Sequence, residues 1–447
     1  MRIHLIGIGG IGVSALARYF LSQSWKVSGS DSSPSPLLRE LKAEGAKIYI
    51  GHRKNNLNPK TDLVVFTQAI PLDNPELKEA KRLKLKTLTY PQALGWLTKT
   101  FTTIAVAGTH GKSTATALTA LALIEAKKDP TVIVGTKVPQ LRGKNFRSGK
   151  SEYLVLEADE YRDAFLNYSP TAALITNIDR EHLDYFKNLN QAKKSFRKFI
   201  NNLSTSEVER LADRVLVLNK DSVPLFQVGR GVSGNRKIVW YSLKEKKLAQ
   251  KIKKYLHLSG EHNLSNALGV YKLARALGVK EKDILSAFAK YKGAWRRFEY
   301  KGDLKIEKWK LKIPVYDDYA HHPTEIKATL SAFREKYPDS KIICVFQPHQ
   351  AERLKKLFKE FVGAFDEADT LILLDIFKVS GRESKKQQVG SKQLADAIRK
   401  RKNSPETIYL PHSARLKQAL YKLAQDKSVI VMTGAGNIVD MTPRLLK

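Results

Sequence analysis

The sequence has a single cysteine among its 447 residues. No intramolecular disulfide framework and no cysteine-based zinc cluster can therefore form. That residue, Cys344, lies in the run Lys341-Ile342-Ile343-Cys344-Val345-Phe346, which reads as a buried strand and not as a reactive thiol. Long hydrophobic runs are missing too. No apolar stretch reaches the roughly 18 residues that a membrane-spanning helix needs. The first apolar stretch is broken by Gly7, Gly9, Gly10 and Gly12 and has neither a basic leader nor a cleavage site, so no signal peptide is expected. These absences point to a cytoplasmic protein with no membrane insertion. Acidic residues are scarce: 44 Asp and Glu stand against 78 Lys and Arg, a formal charge of +34. Divided at residues 98 and 292, the chain carries +7, +16 and +11, so the excess is not a tail. A basic surface attracts polyanions without specificity. Zinc-finger spacing, RNA-binding aromatic motifs and basic-region heptads are all absent, so no specific nucleic-acid partner is expected.

Hydrophobic residues make up 42% of the chain, enough for several cores. The length suggests about three domains. A strand at residues 2–6 runs into a glycine-rich turn, then a helix over 13–24 and a strand at 26–31, which is a βαβ unit. Further strands read at 47–50, 63–67 and 87–89. A second segment opens with a strand at 103–107 and a glycine turn, then a helix to about residue 126. Strands at 131–134, 153–157, 172–176 and 214–218 follow, and helices at 263–277 and 281–291 close it. A third segment alternates strands at 313–316, 342–346, 370–374 and 428–433 with helices such as 323–337. The alternation predicts an α/β protein of three doubly wound, mostly parallel domains, spanning 1–98, 99–292 and 293–447. Residues 229–235 have the least regular composition.

Chemistry-bearing residues gather at strand ends, where a doubly wound sheet opens its ligand crevice. Gly7-x-Gly9-Gly10-x-Gly12 fits a dinucleotide fingerprint: a tight turn, close backbone approach to a pyrophosphate and close helix packing. Asp31, ending the next strand, is placed to hold a ribose. Taken alone this pattern suits a nicotinamide-dependent oxidoreductase, and a UDP-sugar satisfies the same physics. Gly108-Thr109-His110-Gly111-Lys112-Ser113-Thr114 follows a strand and opens a helix, as a phosphate-binding loop must. Its backbone amides would cradle phosphates, Lys112 would reach the outer phosphates, and the Ser113 hydroxyl would ligate Mg²⁺. Two acid-rich strand ends, Glu157-Ala158-Asp159-Glu160 and the stretch Asp179-Arg180-Glu181-His182-Leu183-Asp184, offer oxygen ligands to Mg²⁺. Together they indicate an ATP and Mg²⁺ site. In the third segment, Arg296-Arg297-Phe298-Glu299, Asp317-Asp318-Tyr319-Ala320-His321-His322-Pro323-Thr324-Glu325, Gln347-Pro348-His349 with Arg353, and Gly434-Ala435-Gly436-Asn437 recur at strand ends. Adjacent histidines point in different directions and make a poor metal pair, whereas one of them beside a reacting amine is a plausible base.

In that order, with His262-Asn263-x-x-Asn266 between them, these strings resemble the Mur ligase family along the whole chain, most closely its alanine-adding branch. The resemblance implies an N-terminal Rossmann-like domain for UDP, a central P-loop-type ATPase domain and a C-terminal Rossmann-like domain for the amino acid. It implies ATP-dependent joining of L-alanine to the carboxylate of UDP-N-acetylmuramate through an acyl phosphate, in peptidoglycan precursor synthesis, by a monomer or homodimer. Matched residue by residue, Lys112 contacts the β/γ-phosphates, Ser113 and Glu157 hold one Mg²⁺ and His182 a second. Asn263 and Asn266 face the nucleotide base, and Arg297 and Asp318 reach the nucleotide as the C-terminal domain closes. His321, His349 and Arg353 lie near the amino acid, with His321 a candidate base. Gly9, Gly10, Ile11, Asp31, Thr67 and Ala69 hold the UDP-sugar. Tyr161-Arg162-Asp163 stands where alanine-adding enzymes often have Ser-Asp, and Tyr161 points to the branch that recycles a murein tripeptide. Phe346-Gln347-Pro348-His349 points back to alanine.

Overall fold

Short runs rich in Val, Ile and Leu, each closed by glycine, proline or polar residues, form the strands, and the strands assemble into three sheets. The computed structural model describes residues 1–203, 214–232, 234, 236–307, 310–377 and 389–447. The first sheet holds β1 (Arg2–Ile6), β2 (Lys26–Asp31), β3 (Lys47–Ile50), β4 (Leu63–Phe66) and β5 (Thr87–Thr89). Its order is β3-β2-β1-β4-β5, parallel throughout. Ile6 pairs with both Ser30 and Phe66, which levels the carboxyl ends where the glycine turn begins.

The second sheet holds β6 (Thr102–Ala107), β7 (Thr131–Val138), β8 (Lys144–Arg147), β9 (Tyr153–Glu157), β10 (Ala172–Ile175), β11 (Val215–Asn219) and β12 (Lys237–Tyr241). The order β12-β11-β10-β6-β9-β7-β8 puts β6, the strand of the phosphate loop, in the middle. Among its described strands only β7 and β8 pair antiparallel. The helix Lys112–Glu125 is buried from Ser113 to Leu123, and its Ala and Thr residues are small enough to let it lie close to its surroundings. Part of the stretch of least regular composition lies within the described residues. Gly229 sits in the helix Val223–Arg230, where any larger side chain would meet Trp240 and Leu218; residues 233 and 235 lie outside the described set.

The third sheet holds β13 (Glu299–Ile306), β14 (Leu311–Asp318), β15 (Lys341–Phe346), β16 (Thr370–Leu373), β17 (Glu406–Tyr409) and β18 (Ser428–Thr433), ordered β13-β14-β18-β15-β16-β17. Here β13 alone is antiparallel. Cys344 is fully buried in β15, and burial pushes its thiol up to about 12. The first two sheets form one compact unit, Met1–Asp179, Leu189–Tyr255 and Asn266–Lys292. The third sheet forms another, Gly293–Lys447 with Arg180–Asn188 and Leu256–Ser265. Among the described residues no helix is long and apolar enough to cross a membrane.

Candidate active site

The turn after β1 is built by backbone hydrogen bonds. Gly7 has φ +80, which only glycine adopts at little cost. The amides of Gly7 and Ile8 donate to Ser30 O at 2.8 and 3.1 Å, and Gly10 N donates to Gly7 O at 3.2 Å. Gly9 N donates to Asp31 Oδ2 at 2.8 Å, while Asp31 Oδ1 accepts from Ser32 N at 2.8 Å. Asp31, expected at a ribose, thus fastens the turn itself. The amides of residues 7–10 are all engaged, and the helix Ile11–Ser22 begins with no side-chain cap. Its first amides, at Ile11 and Gly12, are the anion-facing ones. Thr67 follows β4 alongside: its amide donates to Ile6 O at 3.2 Å, and its hydroxyl accepts from Ala69 N at 3.5 Å. Beneath the turn lies a buried acid, Glu76. Its carboxylate accepts from Ser30 Oγ and Asn56 Nδ2, both at 2.5 Å, and has His52 at 3.4 Å and His4 at 3.7 Å. Burial alone would raise this carboxyl, but His4, Ser30 and Asn56 outweigh it and hold it at about 2.

The turn after β6 carries charge. Gly108 and Gly111 have φ +131 and +82, and the side-chain amide of Asn266 occupies the space where a Gly111 side chain would go. Asn177 fixes the loop, accepting from Thr109 N at its backbone oxygen (3.0 Å) and from His110 N at Oδ1 (2.9 Å). The hydroxyl of Thr176 donates to His110 O at 2.6 Å. The His110 ring turns to Asp179, 3.0 Å away. Lys112 Nζ donates to Gly108 O at 2.7 Å, Thr109 O at 3.2 Å and Glu160 Oε2 at 2.8 Å. Burial would lower this ammonium, but Glu160 and Asp159 dominate and raise it above the usual lysine range, so it stays charged. Ser113 Oγ donates to Glu157 Oε1 at 3.0 Å, and Gly135 N donates to Glu157 Oε2 at 2.8 Å. Burial pushes the Glu157 carboxyl up. A hydroxyl and a carboxylate 3.0 Å apart are a fitting pair of hard oxygen donors for Mg²⁺. Thr114 is buried behind them in the helix.

The unit of the third sheet gathers the remaining candidates. Asp318, at the end of β14, is turned into the chain: it accepts from Phe298 N and Ala320 N at 2.9 Å and from Thr329 Oγ1 at 3.1 Å. Arg297 lies over the Tyr319 ring, with Glu325 at 3.8 Å. The two histidines do separate work. His322 caps the helix Pro323–Lys336 by accepting from Thr324 N, and its Nε2 donates to Arg180 O at 3.0 Å. His321 Nδ1 lies 3.0 Å from Tyr319 O, which leaves Nε2 as the acceptor nitrogen. Burial lowers His321 to about 4, so the ring is neutral at pH 7. The His349 and His321 ring centres are 6.2 Å apart, and Arg353 donates to His349 O at 3.1 Å. Arg353 also grips the buried Glu181 through Nε (3.1 Å) and Nη2 (2.6 Å). His182, next to Glu181, has φ +51 and its carbonyl accepts from Tyr185 N and Phe186 N. Asn263 donates to Ser259 O at 2.8 Å.

Several site residues escaped the sequence. Glu160 stood in an acidic run, but nothing marked it as the partner of Lys112. Arg162 was noted only as part of the departure at 161–163; it and Asp163 have φ of +51 and +57, and its guanidinium donates to Gln68 O at 3.0 Å, in the loop after β4. Glu181 was expected among the oxygen ligands of Mg²⁺, and the structure pairs it with Arg353; Glu76 shows its place only through burial.

Comparison with known proteins follows the same order of segments. The family descriptions "Mur ligase family, catalytic domain", "Mur ligase middle domain" and "Mur ligase, glutamate ligase domain" match residues 2–102, 106–274 and 296–436. The chain belongs to the Mur ligase family. UDP-N-acetylmuramate–L-alanine ligase of Clostridium perfringens is 39% identical, over 100% of this chain and 98% of that protein. The enzyme of the same name from Clostridium acetobutylicum is 37% identical, over 98% and 95%. The crystal structure of UDP-N-acetylmuramate–alanine ligase from Thermotoga maritima matches with TM-score 0.77 at 24% identity, over 100% and 98% of the two chains. A murein peptide ligase from Psychrobacter arcticus gives 0.70 at 22%, also over 100% and 98%. These structures share the three-domain α/β fold of Mur ligases. A nicotinamide-dependent oxidoreductase is not favoured: the Mur ligase resemblance extends over the phosphate loop, where Lys112 and Glu157 would have no work in hydride transfer.

Proposed function

We propose that this Mur ligase joins L-alanine to the muramoyl carboxylate of UDP-N-acetylmuramate at the expense of ATP, in the cytoplasm, for peptidoglycan precursors. The observation that carries the proposal is the phosphate loop with Lys112 held beside Glu160 and Ser113 beside Glu157. The alanine-ligase names of the Clostridium relatives support the choice of amino acid. A carboxylate cannot acylate an amine directly, because oxide would have to leave. Transfer of the γ-phosphoryl group to a carboxylate oxygen releases ADP and creates an acyl phosphate. The alanine nitrogen then attacks the carbonyl carbon, the C–O bond to phosphate breaks, and nitrogen loses a proton. Lys112 lowers the repulsion between the two approaching anions. Ser113 and Glu157 would hold Mg²⁺, with His182 at a second site, and the ion would supply further charge neutralisation there. Neutral His321 accepts the proton, and His349 and Arg353 place the amino acid.

In this proposal residues 1–98 bind the UDP-sugar through Gly9, Gly10, Ile11, Asp31, Thr67 and Ala69. Residues 99–292 bind ATP through Gly108–Thr114 and Asn266, joined by Asn263, Arg297 and Asp318. Residues 293–447 bind alanine. The test is phosphate release with ATP, Mg²⁺ and UDP-N-acetylmuramate, adding either L-alanine or the tripeptide L-Ala-γ-D-Glu-meso-diaminopimelate. Release with L-alanine is expected. Release with the tripeptide alone would transfer the chain to murein recycling and make Tyr161 a specificity marker.

A further inference from the structure

Tyr90 opens the helix Tyr90–Thr100 directly after β5. Its backbone is fixed by a capping box: Thr89 N donates to Gln92 Oε1 at 2.9 Å, Gln92 N donates to Thr89 Oγ1 at 3.4 Å, and Pro91 follows. The side chain reaches back to the glycine turn. A methyl group added at Gly12 would lie 2.6 Å from the Tyr90 hydroxyl oxygen and 2.8 Å from the ring carbon that bears it. The absence of a side chain at Gly12 is therefore what admits the phenol. The ring is partly buried, yet its hydroxyl makes no hydrogen bond among the described residues. A phenol brought this close to a ligand-binding turn and left without a partner is placed to meet one from outside the chain. The neighbouring amides of residues 7–10 are already engaged, so Ile11, Gly12 and this hydroxyl are what the turn has left to offer an anion.

We propose that the Tyr90 hydroxyl donates a hydrogen bond to the diphosphate of the UDP-sugar and positions the substrate on the turn at Gly12. The inference rests on the proposed UDP-N-acetylmuramate site. Burial, with the charges of Glu157 and Asp159 next in importance, raises the phenol above its ordinary range. The group thus remains a donor at every working pH.

Tyr90→Phe removes the donor and keeps the ring. Isothermal titration with UDP and with UDP-N-acetylmuramate, and steady-state kinetics, test it. We expect affinity for both ligands to fall roughly tenfold, as for a lost hydrogen bond to a charged group. KM for the UDP-sugar should rise in parallel, with KM for ATP and the melting temperature unchanged. Unchanged affinity for both ligands overturns the proposal. A loss for UDP-N-acetylmuramate without a loss for UDP also overturns it, since the partner would then be the sugar. If the parent protein binds neither ligand, the reading of the glycine turn as a UDP-sugar site fails first, and the parent titration separates that failure from failure of Tyr90 alone.

Discussion

The turn after β1 and the turn after β6 each follow a parallel strand, hold a glycine at positive φ and lead into a helix with no side-chain cap, yet they are stiffened from different sides. The first is held by an acid, and among the described residues no lysine or arginine side chain bonds to it: Asp31 grips its amide, and the Glu76 network lies beneath. The second is held by hydroxyl and amide groups of Thr176 and Asn177, which leaves its acids to face Lys112 and Ser113. One strand–turn–helix geometry therefore supports two tasks. A turn without a cation can retain a substrate through several steps, whereas a turn with a fixed ammonium acts on charge that moves during the reaction.

The largest effect should come from removing that ammonium. Lys112→Ala should lower turnover by at least about 10³-fold while UDP-sugar affinity stays within about twofold. Near-normal turnover would erase the distinction between the turns. Because Glu160 would lose its cation, Lys112→Ala/Glu160→Gln is the matching control, expected to recover melting temperature but not turnover. Next comes the acid beneath the first turn. The Glu76 carboxyl sits at about 2 in the fold, below its unfolded value, so its stabilisation is complete above about pH 4.5 and fades as pH falls toward 2. Glu76→Gln should cost about 2 kcal/mol at pH 7, with the gap to the parent closing between pH 5 and 2. A pH-independent gap in thermal melts would mean that the charge of Glu76 does not matter. The smallest effects compare the glycines. Gly111→Ala must hold φ +82 against Asn266 and should lose about 1–2 kcal/mol and weaken ATP binding. Gly10→Ala has φ −66 and meets Gly7 O at 3.5 Å and Val13 Cγ2 at 3.9 Å, both ordinary contacts, so its stability should stay within about 0.5 kcal/mol. Equal losses in the two variants would contradict the comparison.

Most of the parallel strands could be read from the sequence because buried strands are written as unbroken apolar runs, as in Leu154-Val155-Leu156 or Ile342-Ile343-Cys344-Val345. The strands that escaped are edges. β8 reads Lys-Asn-Phe-Arg, and β13 alternates charged and apolar residues on the rim of its sheet, where one side is wet. The helix Ile11–Ser22 starts two residues before the expected position, because Gly10 serves as its cap position. At the site, chain-local motifs were legible and partnerships were not. Lys112 was visible, but its tie to Glu160 crosses from one strand end to another. Asp31 and Asp318 matched their motifs, and the structure shows each bonded to nearby backbone amides. The adjacent His321 and His322 were expected to point apart, and the cap at Thr324 shows which of them holds the helix start.

Cys344 gives this protein a practical property. Its one thiol is sealed inside β15 and resists ionisation. Thiol reagents should thus be silent toward the folded chain, and any modification becomes a clock for the opening of the third sheet. The same silence makes the chain a clean background for spectroscopy. One cysteine introduced on the surface would carry a dye or spin label alone, with no native thiol to remove first.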